Sequence, residues 1–251
     1  MRITYETAAA PGRPHNEDYV IGGPTWVAVL DGATAPAGVD SGCRHDVPWL
    51  VTRLGGALAH RLATRPKESL PVVVADAIRA TMTAHAGTCD LTNPDSPSST
   101  VAVLRERDGL VDYLVLCDSP IVLRRTDGTL TLIDDDRTDR LPGGRPYGLE
   151  LVRSSRNRAG GFWVASTVPE AAYEALTGSA ELGTVSGALL VTDGVTRLME
   201  WYDLSWEQAV ITAATAGPAE LIAQVRREET RRGTPGLAKR HDDATAAWVS
   251  W

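Results

Sequence analysis

The chain has 251 residues, 43% of them hydrophobic, and a formal net charge of −7 at pH 7. This length and composition suit one large domain with a sizeable core, so we predict a single domain over residues 1–251. The negative charge argues against nucleic acid or an anionic membrane as the main partner, because both require a basic face on the protein.

The cysteines and the hydropathy of the chain indicate the cellular compartment in which the protein is expected. Cys43, Cys89 and Cys117 form neither a disulfide framework nor a Cys-x-x-Cys metal motif. The first residues lack the apolar core of a secretion signal, and no run approaches the roughly 18 apolar residues of a membrane span. We therefore expect a cytoplasmic protein with no membrane association.

The first third of the chain reads as strands followed by helices. Short strands are predicted at residues 1–9, 18–22 and 26–31. Apolar residues at helical spacing then predict helices at about 43–64, with an N-cap at Asp40 or Ser41, and at about 69–86.

The middle of the chain reads as antiparallel hairpins. Turn residues separate four β-rich runs, at 99–107, 110–117, 121–125 and 130–133. The stretch 134–159 has little periodicity and is interpreted as a surface segment. Its arginines suit a solvated face or an anionic substrate, and they are Arg137, Arg140, Arg145, Arg153, Arg156 and Arg158.

The last third mixes both element types. Strands are predicted at 162–166, 187–193 and 246–251, and helical segments at 169–176, 205–214 and 218–232. Strands and helices come in blocks along the whole chain. This order predicts an α+β fold, in which an antiparallel sheet system carries segregated helices.

Two buried strands end abruptly in Asp-Gly. The apolar run at 26–30 leads into Asp31, and the run at 187–192 leads into Asp193. A carboxylate at the end of a strand is well placed to act as a metal ligand, although Asp-Gly most often marks an ordinary turn. Further acidic residues flank other predicted strands, namely Glu17, Asp18, Asp118, Asp242 and Asp243.

Taken in order, these motifs carry a family resemblance. The chain shows Arg-x-x-x-Glu-Asp from Arg13, Asp-Gly after a strand, a Ser-Thr-bearing strand pair, Thr-Asp-Gly, and Asp-Asp-x-Thr ending at Thr245. This order resembles the metal-dependent PPM-type (type 2C) protein phosphatases, in the form of a compact bacterial catalytic domain. The resemblance implies a four-layer α-β-β-α sandwich, in which helices flank two antiparallel sheets.

The resemblance also implies a metal centre. Uncatalysed hydrolysis of a phosphate monoester is extremely slow. Two divalent ions about 4 Å apart lower the pKa of a bridging water and neutralise the phosphoryl oxygens. Carboxylates and a backbone carbonyl suit Mg²⁺ or Mn²⁺, whereas His and Cys would suit Zn²⁺.

Roles carried over from the family assign each acidic residue. Asp31 would bridge two ions, Glu17 and the Gly32 carbonyl would complete one, and Asp193 with Asp242 would hold the other. Asp18 would orient a metal-bound water. Arg13 would bind the phosphate oxygens, so Arg13, Asp31 and Asp193 are the predicted catalytic residues. Asp118 would help to hold a third ion, or would satisfy the backbone of its turn. Asp243 would be a turn residue or a hydrogen-bond acceptor behind the ligands.

The chain departs from the family pattern at two positions. Ala33 stands where many eukaryotic members carry a His after Asp-Gly, so the acid that protonates the leaving alcohol is unassigned. Cys117 replaces the usual Gly before Asp118 and is interpreted as a small buried apolar residue. His15, His45 and His241 are interpreted as capping or surface residues.

The resemblance implies a Mg²⁺/Mn²⁺-dependent phosphatase of phosphoserine and phosphothreonine in bacterial signalling. Its expected partners are a phosphorylated protein substrate and a cognate Ser/Thr kinase, and a monomer is expected. Two alternatives stay open at this point. One is a phosphatase of a small phosphorylated metabolite, and the other is a pseudo-phosphatase that only binds phosphoproteins.

Overall fold

A computed structural model describes residues 1–36, 38–144, 146–236 and 239–251. Its strands are β1 Arg2–Ala8, β2 Asp18–Gly23, β3 Trp26–Ala33, β4 Ser98–Ser99, β5 Val101–Arg107, β6 Leu110–Leu116, β7 Ile121–Arg125, β8 Leu130–Ile133, β9 Leu176–Glu181, β10 Val185–Val191 and β11 Ala244–Ser250. Its α-helices are α1 Val47–Thr64, α2 Leu70–His85, α3 Leu149–Ser155, α4 Asp193–Glu200, α5 Trp206–Thr215 and α6 Pro218–Arg232. Short 3-10 helices cover Pro169–Glu174 and Leu182–Thr184.

The strands form two antiparallel sheets, as predicted. Sheet A has the order β1-β11-β10-β7-β8. Sheet B has the order β2-β3-β5-β6-β9, and β4 pairs with β3. Strands β1 and β11 pair along their full lengths, from Arg2 opposite Ser250 to Ala8 opposite Ala244. The two ends of the sequence therefore meet in one sheet.

Three apolar layers hold these elements together. Side chains such as Val29, Leu104 and Leu190 fill the space between the two sheets. Helices α1 and α2 cover the outer face of sheet B, and α4, α5 and α6 cover that of sheet A. The result is the expected four-layer α-β-β-α sandwich. None of the described helices is long and apolar enough to cross a membrane.

The local sequence explains where the helices begin. Asp46 caps α1, because its carboxylate accepts a hydrogen bond from Trp49 N at 2.9 Å. The predicted start at residue 43 and the predicted caps at Asp40 and Ser41 are therefore wrong. Helix α6 follows the prediction, since Pro218 occupies its first turn and Gly233 ends it at φ 71°.

Several predicted elements in the second half are corrected. The predicted strand at 162–166 forms only isolated bridges. The segment 169–176 is a 3-10 helix followed by the start of β9. The strand predicted to reach Asp193 ends at Val191. Helices α3 and α4 and strand β9 are not predicted from the pattern, because α3 buries none of its residues and β9 is a largely exposed edge strand.

Candidate metal centre

Three aspartates from three elements meet where the two sheets approach each other. Asp18 lies directly opposite Asp31 in the β2–β3 pairing. Asp193 is the first residue of α4, just after β10, and its backbone N–H lies 3.3 Å from Asp31 Oδ2. The structure thus brings together carboxylates that are 162 residues apart in sequence.

The electrostatics of Asp31 identify the other acids around it. Burial raises the pKa of Asp31 well above its ordinary value. The carboxylates of Asp193, Asp18, Asp118 and Asp242 raise it further, in that order. Asp31 is therefore the centre of a five-carboxylate cluster, which we call the carboxylate centre.

Asp18 has a similar environment. Burial is the main cause that raises its pKa to about 8, and the charges of Asp193 and Asp243 add to the effect. Thr192 Oγ1 donates a hydrogen bond to Asp18 Oδ2 at 2.8 Å, which opposes this rise by stabilising the charged form. Without a nearby cation, Asp18 therefore keeps its proton near neutral pH.

Gly32 and Glu17 are held in close contact. Gly32 N donates to the Glu17 carbonyl at 3.0 Å. A Cβ at position 32 would lie 2.4 Å from that oxygen and 2.2 Å from Val47 Cγ1, so the close approach requires glycine. The Glu17 carboxylate accepts a hydrogen bond from Thr34 Oγ1 at 2.5 Å.

Asp243 holds the segment that carries Glu17. Its two carboxylate oxygens accept hydrogen bonds from Ala10 N at 2.7 Å and Glu17 N at 2.6 Å. Asp243 is buried and bonds only to backbone donors in these contacts. This geometry agrees with a hydrogen-bond acceptor behind the ligands.

Asp242 has a different setting from the other acids. Its Oδ2 accepts from Arg197 Nη2 at 2.8 Å, and its Oδ1 lies 3.4 Å from Lys239 Nζ. Arg197 is buried and also pairs with the buried Glu229. Two basic side chains therefore already neutralise the predicted ligand Asp242.

Two clefts open onto the carboxylate centre. Both are lined by Asp118, Thr138 and Asp193, and Thr138 Oγ1 donates to Asp118 Oδ2 at 3.2 Å. The smaller cleft, of about 240 Å³, is also lined by Asp31. The larger cleft, of about 620 Å³, is also lined by Asp242. A substrate therefore has two approaches to the same acids.

Cys117 explains the departure from Gly before Asp118. Its φ of 69° lies in the left-handed region that favours glycine. The side chain is buried, and its backbone N–H donates to Asp135 Oδ2 at 3.1 Å. The turn conformation is thus kept without glycine, and Cys117 is a buried apolar residue, as predicted.

The predicted phosphate ligand Arg13 lies in the loop between β1 and β2. Its side chain is exposed, and its guanidinium forms no hydrogen bond or ion pair within the described part of the chain. Arg13 is also not among the described residues that line either cleft. Its predicted role stays a prediction.

Among the described residues, Arg156 is the basic residue that lines the smaller cleft, and it is one of the arginines that the sequence assigns to a solvated face or an anionic substrate. Burial lowers its pKa to about 10, and its guanidinium donates to the carbonyls of Pro94 and Pro97 at 3.2 and 3.5 Å. Three other arginines of the 134–159 segment form ion pairs, namely Arg137 with Asp135, Arg140 with Asp136 and Arg153 with Asp95. Arg145 lies outside the described residues.

His15, His45 and His241 have different environments in the structure. His15 is exposed. His241 Nδ1 lies 2.6 Å from the Glu229 carboxylate. His45 is neither a cap nor a simple surface residue, because it lies against Cys43 and Cys89.

Comparisons with known proteins identify the family. The family model described as protein phosphatase 2C matches residues 15–226, which is most of the chain. The chain belongs to the protein phosphatase 2C family. This membership confirms the family predicted from the motifs, and it favours a protein phosphatase over a metabolite hydrolase or an inactive binding protein.

Solved structures support the fold of this 2C-family chain. The serine/threonine phosphatase PstP/Ppp of Mycobacterium tuberculosis is 21% identical, with a TM-score of 0.65 over 99% of this chain and 97% of that one. A second PstP structure, of the catalytic domain with two manganese ions, is also 21% identical, with a TM-score of 0.62 over 99% and 97%. Stp1 of Staphylococcus aureus is 13% identical, with a TM-score of 0.64 over 99% and 94%. A search of curated proteins found no match.

Proposed function

We propose that this chain hydrolyses phosphoserine and phosphothreonine in proteins, using Mn²⁺ or Mg²⁺ bound at the carboxylate centre. The observation that carries the proposal is the group of carboxylates around Asp31, where burial first and the neighbouring charges second raise the pKa of Asp31 well above its ordinary value. Membership of the protein phosphatase 2C family supports the same conclusion.

The residues present fit divalent ions. Clustered carboxylates that are buried or half-buried repel one another when ionised, and positive charge in the site removes this repulsion. Their oxygens are hard ligands, which suit Mg²⁺ or Mn²⁺. We assign Asp31 as the shared ligand, with Glu17, the Gly32 carbonyl, Asp193 and Asp242 as further ligands and Asp118 as a ligand of a third ion.

When bound, the ions would supply a water of lowered pKa and positive charge against the phosphoryl oxygens. Asp18 is suited to orient a water, because the Thr192 hydroxyl fixes one of its oxygens. Arg156 in the smaller cleft and the exposed Arg13 are the two basic residues that we assign to the phosphate dianion.

The remaining assignments rest on the same family membership. We propose a phosphorylated protein as substrate, a Ser/Thr kinase as the enzyme that supplies it, and a monomer acting in bacterial signalling. A single domain over 1–251 is supported by the pairing of β1 with β11. A cytoplasmic location is supported by three free cysteines.

A phosphatase assay tests the proposal. The metal-free protein should not hydrolyse a phosphothreonine peptide, and Mn²⁺ or Mg²⁺, but not Ca²⁺, should restore turnover, because Ca²⁺ accepts loose coordination and activates water poorly. Asp193→Asn should lower kcat by several orders of magnitude while the circular dichroism spectrum is unchanged.

Asp127→Asn is the matched control. Asp127 is also followed by Gly, but its carboxylate only accepts hydrogen bonds from Thr129 in an exposed hairpin turn. This variant should keep wild-type turnover. Full activity in excess EDTA, or equal activity of the Asp193 and Asp127 variants, would refute the proposed function.

A further inference from the structure

Four metal-binding side chains converge outside the carboxylate centre. Cys43 and His45 lie in the segment before α1, His85 is the last residue of α2, and Cys89 lies four residues further on. One ligand atom from each side chain lies within 4.8 Å of all the others. We call these four residues the Cys/His cluster.

Three of four ligand-atom distances in the cluster are those expected around a tetrahedral ion, and the sulfur–sulfur distance is shorter. Cys43 Sγ lies 3.2 Å from Cys89 Sγ, 3.4 Å from His85 Nδ1 and 3.8 Å from His45 Nδ1. Cys89 Sγ lies 3.4 Å from His45 Nδ1. An ion with tetrahedral bonds of about 2.3 Å to sulfur and about 2.0 Å to nitrogen keeps its ligand atoms roughly 3.4–3.8 Å apart.

The two imidazole rings are fixed by one aromatic neighbour. His45 stacks on Trp49, with ring centroids 4.0 Å apart and planes 13° apart. His85 meets the same indole edge-on, at 4.5 Å and 82°. Both rings therefore present their Nδ1 atoms to the sulfurs before any ligand binds, and such preorganisation favours binding.

The backbone fixes the two sulfurs. His45 N donates to Cys43 Sγ at 3.4 Å, a contact that stabilises a thiolate. Asp90 N donates to the Gly42 carbonyl at 2.8 Å, which ties the segment before α1 to the loop after α2. Gly42 has a φ of 66°, and this left-handed conformation turns the chain into Cys43.

The donor set selects the ion. Two thiolates and two imidazoles suit Zn²⁺, whereas Mg²⁺ and Mn²⁺ prefer the oxygen ligands of the carboxylate centre. Four protein ligands complete a tetrahedron and leave no position for substrate, which is typical of a structural site. A disulfide between the cysteines is the chemical alternative, but it would not account for two ring nitrogens directed at the sulfurs.

We propose that Cys43, His45, His85 and Cys89 bind one structural Zn²⁺ ion. The ion joins the segment before α1 to the loop that follows α2. That loop continues to Pro94, Asp95 and Ser96, which line the smaller cleft, so the ion also anchors one wall of this cleft. The site itself does not depend on the phosphatase activity.

Metal content is the first test. Protein purified under reducing conditions should contain one Zn per chain by inductively coupled plasma mass spectrometry, and Asp193→Asn should contain the same amount. Cys89→Ser and His45→Gln should lose this zinc. His60→Gln is the matched control, because His60 is an exposed histidine on α1 away from the cluster, and it should keep the ion.

Cobalt spectroscopy gives a second test that needs no variant to fold. Wild-type protein exchanged with Co²⁺ should show the intense d–d bands of a tetrahedral site and a sulfur-to-cobalt charge-transfer band. Octahedral Co²⁺ at the carboxylate centre gives only weak bands, so these spectra distinguish the two sites.

The proposal is overturned if wild-type protein holds no stoichiometric zinc and gives no tetrahedral Co²⁺ spectrum, or if mass spectrometry of the unreduced protein finds a Cys43–Cys89 disulfide instead. Neither readout uses phosphatase activity, so failure here would leave the proposed function intact.

Discussion

Arg197 connects the carboxylate centre to the protein interior. Only 5% of its side chain is exposed, and it pairs with Glu229 at 3.0 Å and with Asp242 at 2.8 Å. Its guanidinium also lies over the ring of Trp201, 4.5 Å from the centroid. Asp242 is thereby held at the larger cleft by its ion pair with Arg197, with which a bound cation would compete.

Removal of the charge at Arg197 should lower the free energy of unfolding substantially. Arg197→Gln leaves the buried Glu229 with less positive charge, and loss of one partner of a buried ion pair costs about 3–5 kcal/mol. Urea unfolding would measure this loss. Arg227→Gln is the control, because Arg227 and Glu220 form an exposed pair worth less than about 1 kcal/mol. Equal stability of the two variants would show that the buried pair does not stabilise the fold.

The sequence identified residues of the centre only where short motifs mark them. Asp31 and Asp193 each follow an apolar strand and precede Gly, so both could be predicted. Arg156 could be named only as one of the arginines of its segment, and the Cys/His cluster could not be predicted, because the pair Cys43 and His45 lies far along the chain from the pair His85 and Cys89. His45 and His85, for example, are brought together by the packing of α1 against α2.

At the scale of elements, the regular parts of the fold were predictable and the short ones were not. Helix α6 has a clear apolar stripe, a Pro in its first turn and a Gly after its end, and its predicted bounds are correct. Helix α4 has eight residues and directly follows β10, so its pattern merges with that of the strand. The helix nevertheless matters for the centre, because it begins at Asp193.

Gly194 sets how closely α4 approaches the start of β11. A Cβ at this position would lie 1.8 Å from the Asp243 carbonyl and 3.1 Å from Ala244 Cα. Gly194→Ala should therefore displace Asp193, destabilise the protein by about 1–3 kcal/mol through overpacking, and lower kcat. Thermal unfolding and the phosphopeptide assay would measure both effects.

Gly56→Ala is the matched control for this substitution. Gly56 lies in α1 with open space around it, so alanine should leave kcat unchanged and stabilise the helix by about 0.5–1 kcal/mol. If Gly194→Ala behaves like Gly56→Ala, the close packing of α4 on β11 does not position the centre.

At the scale of the whole molecule, the carboxylate centre opposes folding until cations bind. The pKa of Asp18 is raised by burial to about 8, so the folded protein holds a proton that the unfolded chain releases at much lower pH. The folded state therefore binds more protons between these two values. Across this interval, the contribution of Asp18 to the free energy of unfolding of the metal-free protein falls as the pH rises.

Asp18→Asn tests this dependence of stability on pH. The asparagine side chain does not titrate in this range, and its carbonyl oxygen can still accept the hydrogen bond from the Thr192 hydroxyl. In EDTA, the melting temperature of the variant should exceed that of the wild type by a margin that grows from about pH 5 to about pH 8. Saturating Mn²⁺ should shrink or reverse the margin, because cation binding favours the ionised aspartate. A margin that is constant with pH would show that Asp18 does not hold a proton in the folded protein.

The most direct test of the metal centre is the anomalous diffraction of manganese in crystals grown with Mn²⁺. We expect two strong peaks about 4 Å apart, both beside the Asp31 carboxylate and one also beside Asp193. Peaks located only elsewhere, or none within bonding distance of Asp31, would contradict this expectation.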